Sequence, residues 1–511
     1  MQLHRLSVGF AAVAIAATCA SSTPAAYAAA ATAYRPLAKF DYEGFHLELP
    51  ASLRSRSESV ERFPVDRYGT EIDGEFVWSP EARIGAVLSG RVPQAPVGFH
   101  LEYEHDLTTG AEVGAPDIEG QRMPNAWRSH AELRKAFLRL DLGETWIAAA
   151  GYMMSHWGLG MLANDGAHGW TPGSAYFGDP RSGDRVLRAY VGTQPLTDYA
   201  VIFRLAADKV EDDDPLLDGD DAHQFIFSAR SGVGQSKYGG VYIVYRDQDG
   251  QRDDVGQRGF DAWVVDVTGG MDIDLDQVGK LSLAGEIAVV SGDTSFGPTP
   301  ELPKHDILQI GVVVRAALDR GNHGFVTDLL IASGDQNFDD DEQNAFRMDP
   351  NFEVGLLLFR HVLAAQTGRA PVTAGDLGIV GRPVADLDRV PTGGSVANTV
   401  AFFPRAWWRP LEKLEVYGGP LFAWSDVDNV DPFNTRVDGG GHARNALGGK
   451  PSAFYGAELD VGGRYRMMLR STELTVGAEA GVLLPGGAFK DMDGDDMNEI
   501  FGGRLMVDYR F

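Results

Sequence analysis

Cysteine is almost missing from this chain: Cys19 is the only one in 511 residues. A single thiol supports neither a disulfide framework nor a thiolate metal centre. Long apolar runs are scarce too. The run from Leu6 to Ala20 is too short to cross a bilayer comfortably as a helix. Positive charge is in deficit, with 45 Lys and Arg against 72 Asp and Glu and a formal net charge of −27. That balance repels phosphates and excludes nucleic acid as a partner. The common catalytic signatures are absent as well: no G-x-S-x-G, no H-E-x-x-H and no phosphate-binding loop occurs. Ser155 and His156 are neighbours along the chain, and neighbours in a strand or loop point apart. No enzyme is expected on this basis, and a hydrolase built at the rim of a barrel from sequence-distant residues stays a minor alternative.

The N-terminus reads as a secretory signal peptide over residues 1–28. A weakly basic lead, Met1 to Arg5, precedes the apolar run, and Ala26-Tyr27-Ala28 supplies small residues before a mature start at Ala29. Residues 29–68 read as an N-terminal arm or an extra strand, with one alternating patch at Phe45, Leu47 and Leu49. Residues 69–511 form the remaining unit.

What fills that unit is period-two alternation. Phe501, Leu505, Val507, Tyr509 and Phe511 share one face of the last segment, with Arg504, Asp508 and Arg510 on the other. Phe225 and Phe227 oppose Gln224 and Ser228; Leu308 to Leu318 in steps of two oppose Gln309 and Arg315; Leu474 to Val482 oppose Glu473, Thr475 and Glu479. The apolar faces are mainly Leu, Val, Ala and Ile. Trp146, Trp263, Trp407, Trp408 and Trp424 fall near segment ends, as in a lipid-facing band edged by aromatic girdles. The 62 glycines suit many strands and turns, and a slightly negative mean hydropathy suits a barrel whose apolar residues occupy every second position.

Connection lengths alternate as well. Short links fall at 141–144, 193–196, 232–236, 271–278, 319–322, 409–411 and 464–470, and long ones at 107–130, 155–184, 207–220, 247–257, 291–305, 334–396 and 425–451. Two segments, near 69–79 and 83–92, begin the count. The fold expected is all-β: a transmembrane antiparallel β-barrel of about eighteen strands, with short periplasmic turns and long extracellular loops. Phe352 to Phe359 is placed inside a folded loop, since a strand there would break the parity.

The signal peptide, the terminal Tyr509-Arg510-Phe511, the alternation and the turn-and-loop asymmetry resemble Gram-negative outer-membrane porins. The strand count is similar to the alginate-export and substrate-specific porin families. The resemblance implies an outer-membrane location, contact with lipid and lipopolysaccharide, and recognition of the C-terminal strand by barrel-assembly machinery. The acidic balance departs from the cationic lumen expected of a polyuronate path.

Three groups of candidate functional residues follow. In the long segment 151–188, Arg181 and Arg185 are expected to oppose Asp179 and Asp184 in a loop folded into the lumen as a constriction, the other reading being a lid held by its own aromatics and ordinary ion pairs. Acidic runs at 211–214, 339–342 and 491–496 offer oxygen ligands for Ca²⁺, with Asp491, Asp493 and Asp495 as the metal candidates; solvated charge is the competing reading. No other cofactor is expected. By alternation, Arg188, Arg230, Arg315, Arg504, Glu286 and Glu473 line the lumen. The function expected is a channel, passive or substrate-selective, for small polar solutes or an exported polysaccharide. The alternative is a non-conducting barrel whose acidic outer loops bind cations, lipopolysaccharide or a partner.

Overall fold

The computed structural model describes residues 37–72, 76–92, 94–110, 128–212, 220–232, 234–252, 257–296, 302–337, 340–375, 390–437, 439–469 and 472–511. The expected signal peptide lies outside them, as do Asp213, Asp214, Asp218 and Asp339 of the acidic runs.

Among the described residues, eighteen antiparallel staves follow one another round a ring. They are β1 Ala51–Val60, β2 Val77–Arg91, β3 Val97–Gly110, β4 Arg128–Leu142, β5 Trp146–Met154, β6 Arg185–Thr193, β7 Ile202–Asp212, β8 Asp221–Ser231 and β9 Lys237–Arg252. The second half comprises β10 Gln257–Asp274, β11 Lys280–Thr294, β12 His305–Asp319, β13 His323–Ala332, β14 Thr399–Leu411, β15 Leu414–Trp424, β16 Phe454–Leu469, β17 Thr472–Pro485 and β18 Ile500–Arg510. Each pairs with the next, and β18 returns to β1 from Gly502↔Val60 to Arg510↔Ser52. Because the ring closes, none of the eighteen staves is an edge strand.

The expected count is met, but by different strands at the start. The segments 69–79 and 83–92 do not form separate staves; one strand, β2, runs through Pro80. The missing stave is β1, so the barrel begins at Ala51 rather than at residue 69. Its sequence hides it: Ser55, Ser57 and Ser59 occupy the outward face and Arg54, Arg56 and Glu58 the inward one, so no apolar alternation shows. Trp78 of β2 covers the gap outside, its Nε1 donating to Ser55 Oγ at 2.8 Å. Before β1, a hairpin of Ala38–Tyr42 and Phe45–Leu49 pairs with the end of β2 at His46↔Ser89.

The exterior is apolar all round. Leu101, Leu205, Phe225, Val314, Val461 and Leu505 stand exposed on successive parts of the ring. A water-soluble monomer does not show a continuous belt of that kind, whereas the hydrocarbon of a bilayer requires it. Trp146, Trp263, Trp408 and Trp424 are exposed near strand ends, as expected of girdles. Trp407 is the exception. It precedes outward Trp408, so alternation turns it inward, where it is buried under the guanidinium of Arg409 at 4.2 Å.

This two-sidedness sets an expected result. Leu505→Arg, at the middle of β18, should destabilise the folded barrel in lipid vesicles by roughly 2–4 kcal/mol in denaturant titrations. The same change at Met506, whose side chain faces inward, should be governed by lumen packing and not by the choice of lipid.

Short turns join the staves at the end that holds the start of β1 and the end of β18, and the long connections gather at the other end. Two of those do not stay outside. Residues 155–184, between β5 and β6, and the described residues of 333–398, between β13 and β14, fold inward and share a buried apolar core. Phe177, Phe346, Met348, Phe352 and Leu357 pack there with wall residues such as Phe403 and Leu421. As the parity argument requires, 352–357 is irregular; it leads into a π-helical turn, Leu358–Leu363, and then helix α1, Ala364–Gly375.

Candidate functional site: the lumen and its inner loops

The first inner loop is pinned along its length by wall residues that alternation points inward. At its start, Trp157 donates from Nε1 to Asp266 of β10 at 3.1 Å and stacks on Tyr242 of β9, with ring centroids 5.0 Å apart. The N–H of Leu159 donates to Glu286 of β11. Gly158 lies at φ +57° with its backbone so close to that carboxylate that a Cβ would fall 2.3 Å from it, which only glycine permits. Farther on, Gly173 N–H donates to both carboxylate oxygens of Glu415 in β15, at 3.0 and 2.9 Å. Arg405 of β14 donates to the carbonyl of Ala175 at 3.2 Å.

Near its end, the loop reaches β1. Asp179 accepts from Arg54, from Arg56 at 3.4 Å and from Arg181 at 3.1 Å. On a ring of eighteen, β1 and β10 are nine staves apart, so one loop touches diametrically opposite walls. Arg134, with no exposed surface, completes the anchorage through Ser182 and Asp165 carbonyls, the latter at 2.6 Å. A register shift in the β3–β4 pairing between Glu104 and His105 makes Arg134 the extra residue of a bulge, which re-aims its side chain into the lumen beside Lys135.

The second inner loop meets the first and is held from β16, β18 and β1. Tyr176 OH donates to the Asn351 carbonyl at 3.3 Å, and Arg181 N–H to Asn351 Oδ1 at 3.0 Å. Glu353 accepts from the Asp179 N–H and from Arg360, and lies 3.8 Å from Arg504 of β18. Glu458 of β16, 1% exposed, accepts from the N–H groups of Leu356, Leu357 and Leu358 at 2.5, 2.9 and 2.8 Å. That carboxylate caps the π-helical turn from the barrel wall, in the place of a cap from the turn's own sequence.

Electrostatics in the loops follow from these contacts. Burial by itself would raise the Asp179 carboxyl, but Arg54, Arg181 and Arg56 outweigh it and hold it well below the usual carboxylate range. The buried His361 imidazole of the π-helical turn is pushed down to about 4, first by desolvation and further by Arg360, against the pull of Glu58.

The expected lumen residues are placed as follows. Arg181 folds back on Asp179 and donates to the Ser79 carbonyl at 3.0 Å, so the two do not face each other across an aperture. Asp184 accepts from Asn164 N–H at 3.0 Å within the loop, and Arg185 donates to the Leu133 carbonyl at 2.9 Å. The opposed arrangement expected for these four is thus replaced by local pairing, because buried guanidinium and carboxylate groups need direct partners. Arg188 pairs bidentately with Asp208, both contacts 2.7 Å, and Arg315 with Asp328 at 2.6 and 3.0 Å. Arg504 donates to Glu479 at 2.6 Å; Glu473 is buried inward opposite Arg510 in the register. Arg230 lies exposed over the Trp157 ring, 5.5 Å from its centroid. Asp491 spends one carboxylate oxygen on its own turn, accepting from the N–H groups of Asp493 and Asp495 at 2.9 Å each, while Asp493 and Asp495 are exposed in an outer connection.

Arg54, Arg56 and Glu353 were not among the sequence candidates, and Glu458, which alternation turns inward, had no partner assigned to it. The first two had a signal, charges spaced by two in Arg54-Ser55-Arg56-Ser57-Glu58, that apolar-face counting ignores. The other two gain their meaning only from loop contacts about 100 residues and more away in sequence.

Not every inward group is covered. Glu102, Lys135 and Arg139 on β3 and β4, and Arg204 and Arg230 on β7 and β8, keep contact with water, as does His168 of the first inner loop. Their counterparts on β16 to β18 and β1 lie buried beneath the loops. The lumen is therefore filled on one side and wet on the other.

A closed antiparallel ring with an apolar exterior, a charged interior and long connections at one end defines a transmembrane β-barrel of the outer-membrane porin type. No protein-family model and no curated protein matches the chain. Among solved structures it is similar to Pseudomonas aeruginosa OccK5 (OpdH), with 12% identity, a TM-score of 0.47 and coverage of 91% of this chain and 98% of that one. It is similar also to the outer membrane protein OprD from Pseudomonas aeruginosa (11% identity, TM-score 0.48, 91% and 93% covered) and to the outer membrane channel DcaP of Acinetobacter baumannii (12%, 0.44, 93% and 100%).

Proposed function

We propose that the protein is an outer-membrane channel for small polar solutes, with its path along the wet side of the lumen. The observation that carries this reading is the strip of water-contacting inward charges on β3, β4, β7 and β8 beside the packed inner loops. Ionic side chains are kept in a barrel interior at a cost unless they meet water or partners, and this strip meets water. The filled half of the lumen speaks against a chain-like polysaccharide as cargo, since the first inner loop bridges opposite walls. Lys135 is paired with Glu102 at 2.9 Å and Arg139 with Asp141 at 3.2 Å, whereas Arg204 and Arg230 rest against the faces of Tyr190 and Trp157. Two cations held, among the described residues, by ring faces favour anions at that end of the path.

Planar-bilayer recording of the purified chain tests this directly. Discrete ion-permeable openings with a preference for anions that falls in Arg230→Ala are expected. A silent bilayer across voltage and pH would overturn the channel reading and favour a closed barrel that acts through its outer loops.

A further inference from the structure

The first inner loop carries a group of side chains that neither its anchorage nor the proposed path explains. His156, Asp165 and His168 bring one ring nitrogen of each imidazole and one carboxylate oxygen to within 4.8 Å of one another. His168 Nδ1 lies 2.8 Å from Asp165 Oδ1 and His156 Nδ1 3.7 Å from the same oxygen, with the two rings stacked, centroids 3.9 Å apart. His156 Nδ1 is buried and has no hydrogen-bond partner among the described residues, an unusual state for a ring nitrogen.

The loop builds this arrangement and holds it. Asn164, one residue before Asp165, binds Asp184 Oδ2 through its N–H and the Gly160 carbonyl through its amide at 3.1 Å. Arg134 grips the carbonyl of Asp165 from the wall, and Trp157, next to His156, is fixed on Asp266. His156 is thus held by its neighbour, Asp165 is held on both sides, and His168 is half-exposed toward the wet strip, with side-chain exposure of 58%.

We propose that His156, Asp165 and His168 form a binding site for a divalent transition-metal cation of the Zn²⁺, Ni²⁺ or Cu²⁺ class. Two imidazoles and one carboxylate are ligands suited to these ions, and three protein ligands leave further positions for water. Ligand atoms about 3–3.5 Å apart surround an ion at bond lengths near 2.1 Å; the nitrogen–oxygen spacings are close to this, and binding turns the two imidazoles out of their stack so that both in-plane lone pairs meet the ion. Hard Ca²⁺ or Mg²⁺, which prefer all-oxygen sites, are not the expected occupants. The positive charges of Lys135 and Arg230 act on His168 and His156 and moderate affinity, in keeping with an exchangeable site open to water. Its consequence rests on the channel reading: a bound dication at this point of the path adds positive charge and narrows the passage.

Isothermal titration of the untagged, detergent-purified full chain with ZnCl₂ and with NiCl₂ tests the site independently of conductance. About one equivalent per chain is expected, with affinity lowered by roughly tenfold or more in His168→Ala and in His156→Ala. His168→Ala is the safer variant because the side chain is half-exposed, and heat-modifiable migration on a gel verifies that each variant is folded. Absence of binding, or binding unchanged in both folded variants, would overturn the proposal. Binding lost in the variants supports it even if the bilayer stays silent, so failure of the site and failure of the channel reading are separable.

Discussion

Glu458→Ala is expected to loosen the second inner loop and raise single-channel conductance, with the loop cut by added protease at a site protected in the parent protein. The carboxylate takes three buried N–H groups where the chain enters the π-helical turn, and no side chain of the turn's own N-cap replaces it. Each orphaned buried donor costs about 1–3 kcal/mol. For three such donors the sum is roughly 3–9 kcal/mol. That exceeds what a surface loop needs to open locally. Glu458→Gln retains a carbonyl acceptor and should fall between the two. Equal conductance and equal protection in the alanine variant would show that the apolar core alone holds the loop.

Asp179→Asn should shift the ion selectivity toward anions by several-fold and weaken the junction of the two loops. Arg54, Arg56 and Arg181 converge on this one carboxylate, and its removal leaves their charge short by one partner in a buried setting. Breaking a buried pair in this way costs about 3–5 kcal/mol. The pH dependence has a definite sign. The folded carboxyl lies below its unfolded value because the three arginines outweigh desolvation. Its contribution is therefore complete above the unfolded value near pH 4 and is lost only as pH falls through the lower folded value. The Asp179 contribution, read as the difference between the parent protein and the variant, should thus stay constant from pH 7 to 5. Reversal potentials in a salt gradient check both statements, and a midpoint above pH 5 that vanishes in the variant would contradict the ion-pair reading.

The barrel was legible from the sequence because its apolar face occupies every second residue on most staves, and because turn and loop lengths alternate independently of that face. The last strand shows it most plainly: Phe501, Leu505 and Val507 stand outside and Arg504 inside. β1 escaped because serine took the outward positions, and Trp407 was counted with the outer girdle by residue type, although alternation beside outward Trp408 turns it inward. The lumen was legible only in part. Alternation tells that Glu286 or Arg315 points inward, but not that a loop crosses the barrel to meet one of them. Arg181 and Asp179 are two residues apart in the chain, and their pairing depends on the backbone path of the loop, which no periodicity encodes. The helix α1 and its π-helical entry escaped for the same reason: their cap is a glutamate about 100 residues later.

The closing pair of strands has a consequence for how the molecule is made. The residues that hold the second inner loop, Glu458, Arg504 and, at 3.8 Å from Arg360, Glu58, belong to β16, β18 and β1, which flank the place where the two ends of the ring meet. Most of these partners are synthesised after the loop, and one at the very start of the chain. The loop therefore has no complete seat until the last stave meets the first. Sealing of the wall and ordering of its contents become a single late event, so a lesion at the Ser-rich seam should leave a barrel whose interior is unset.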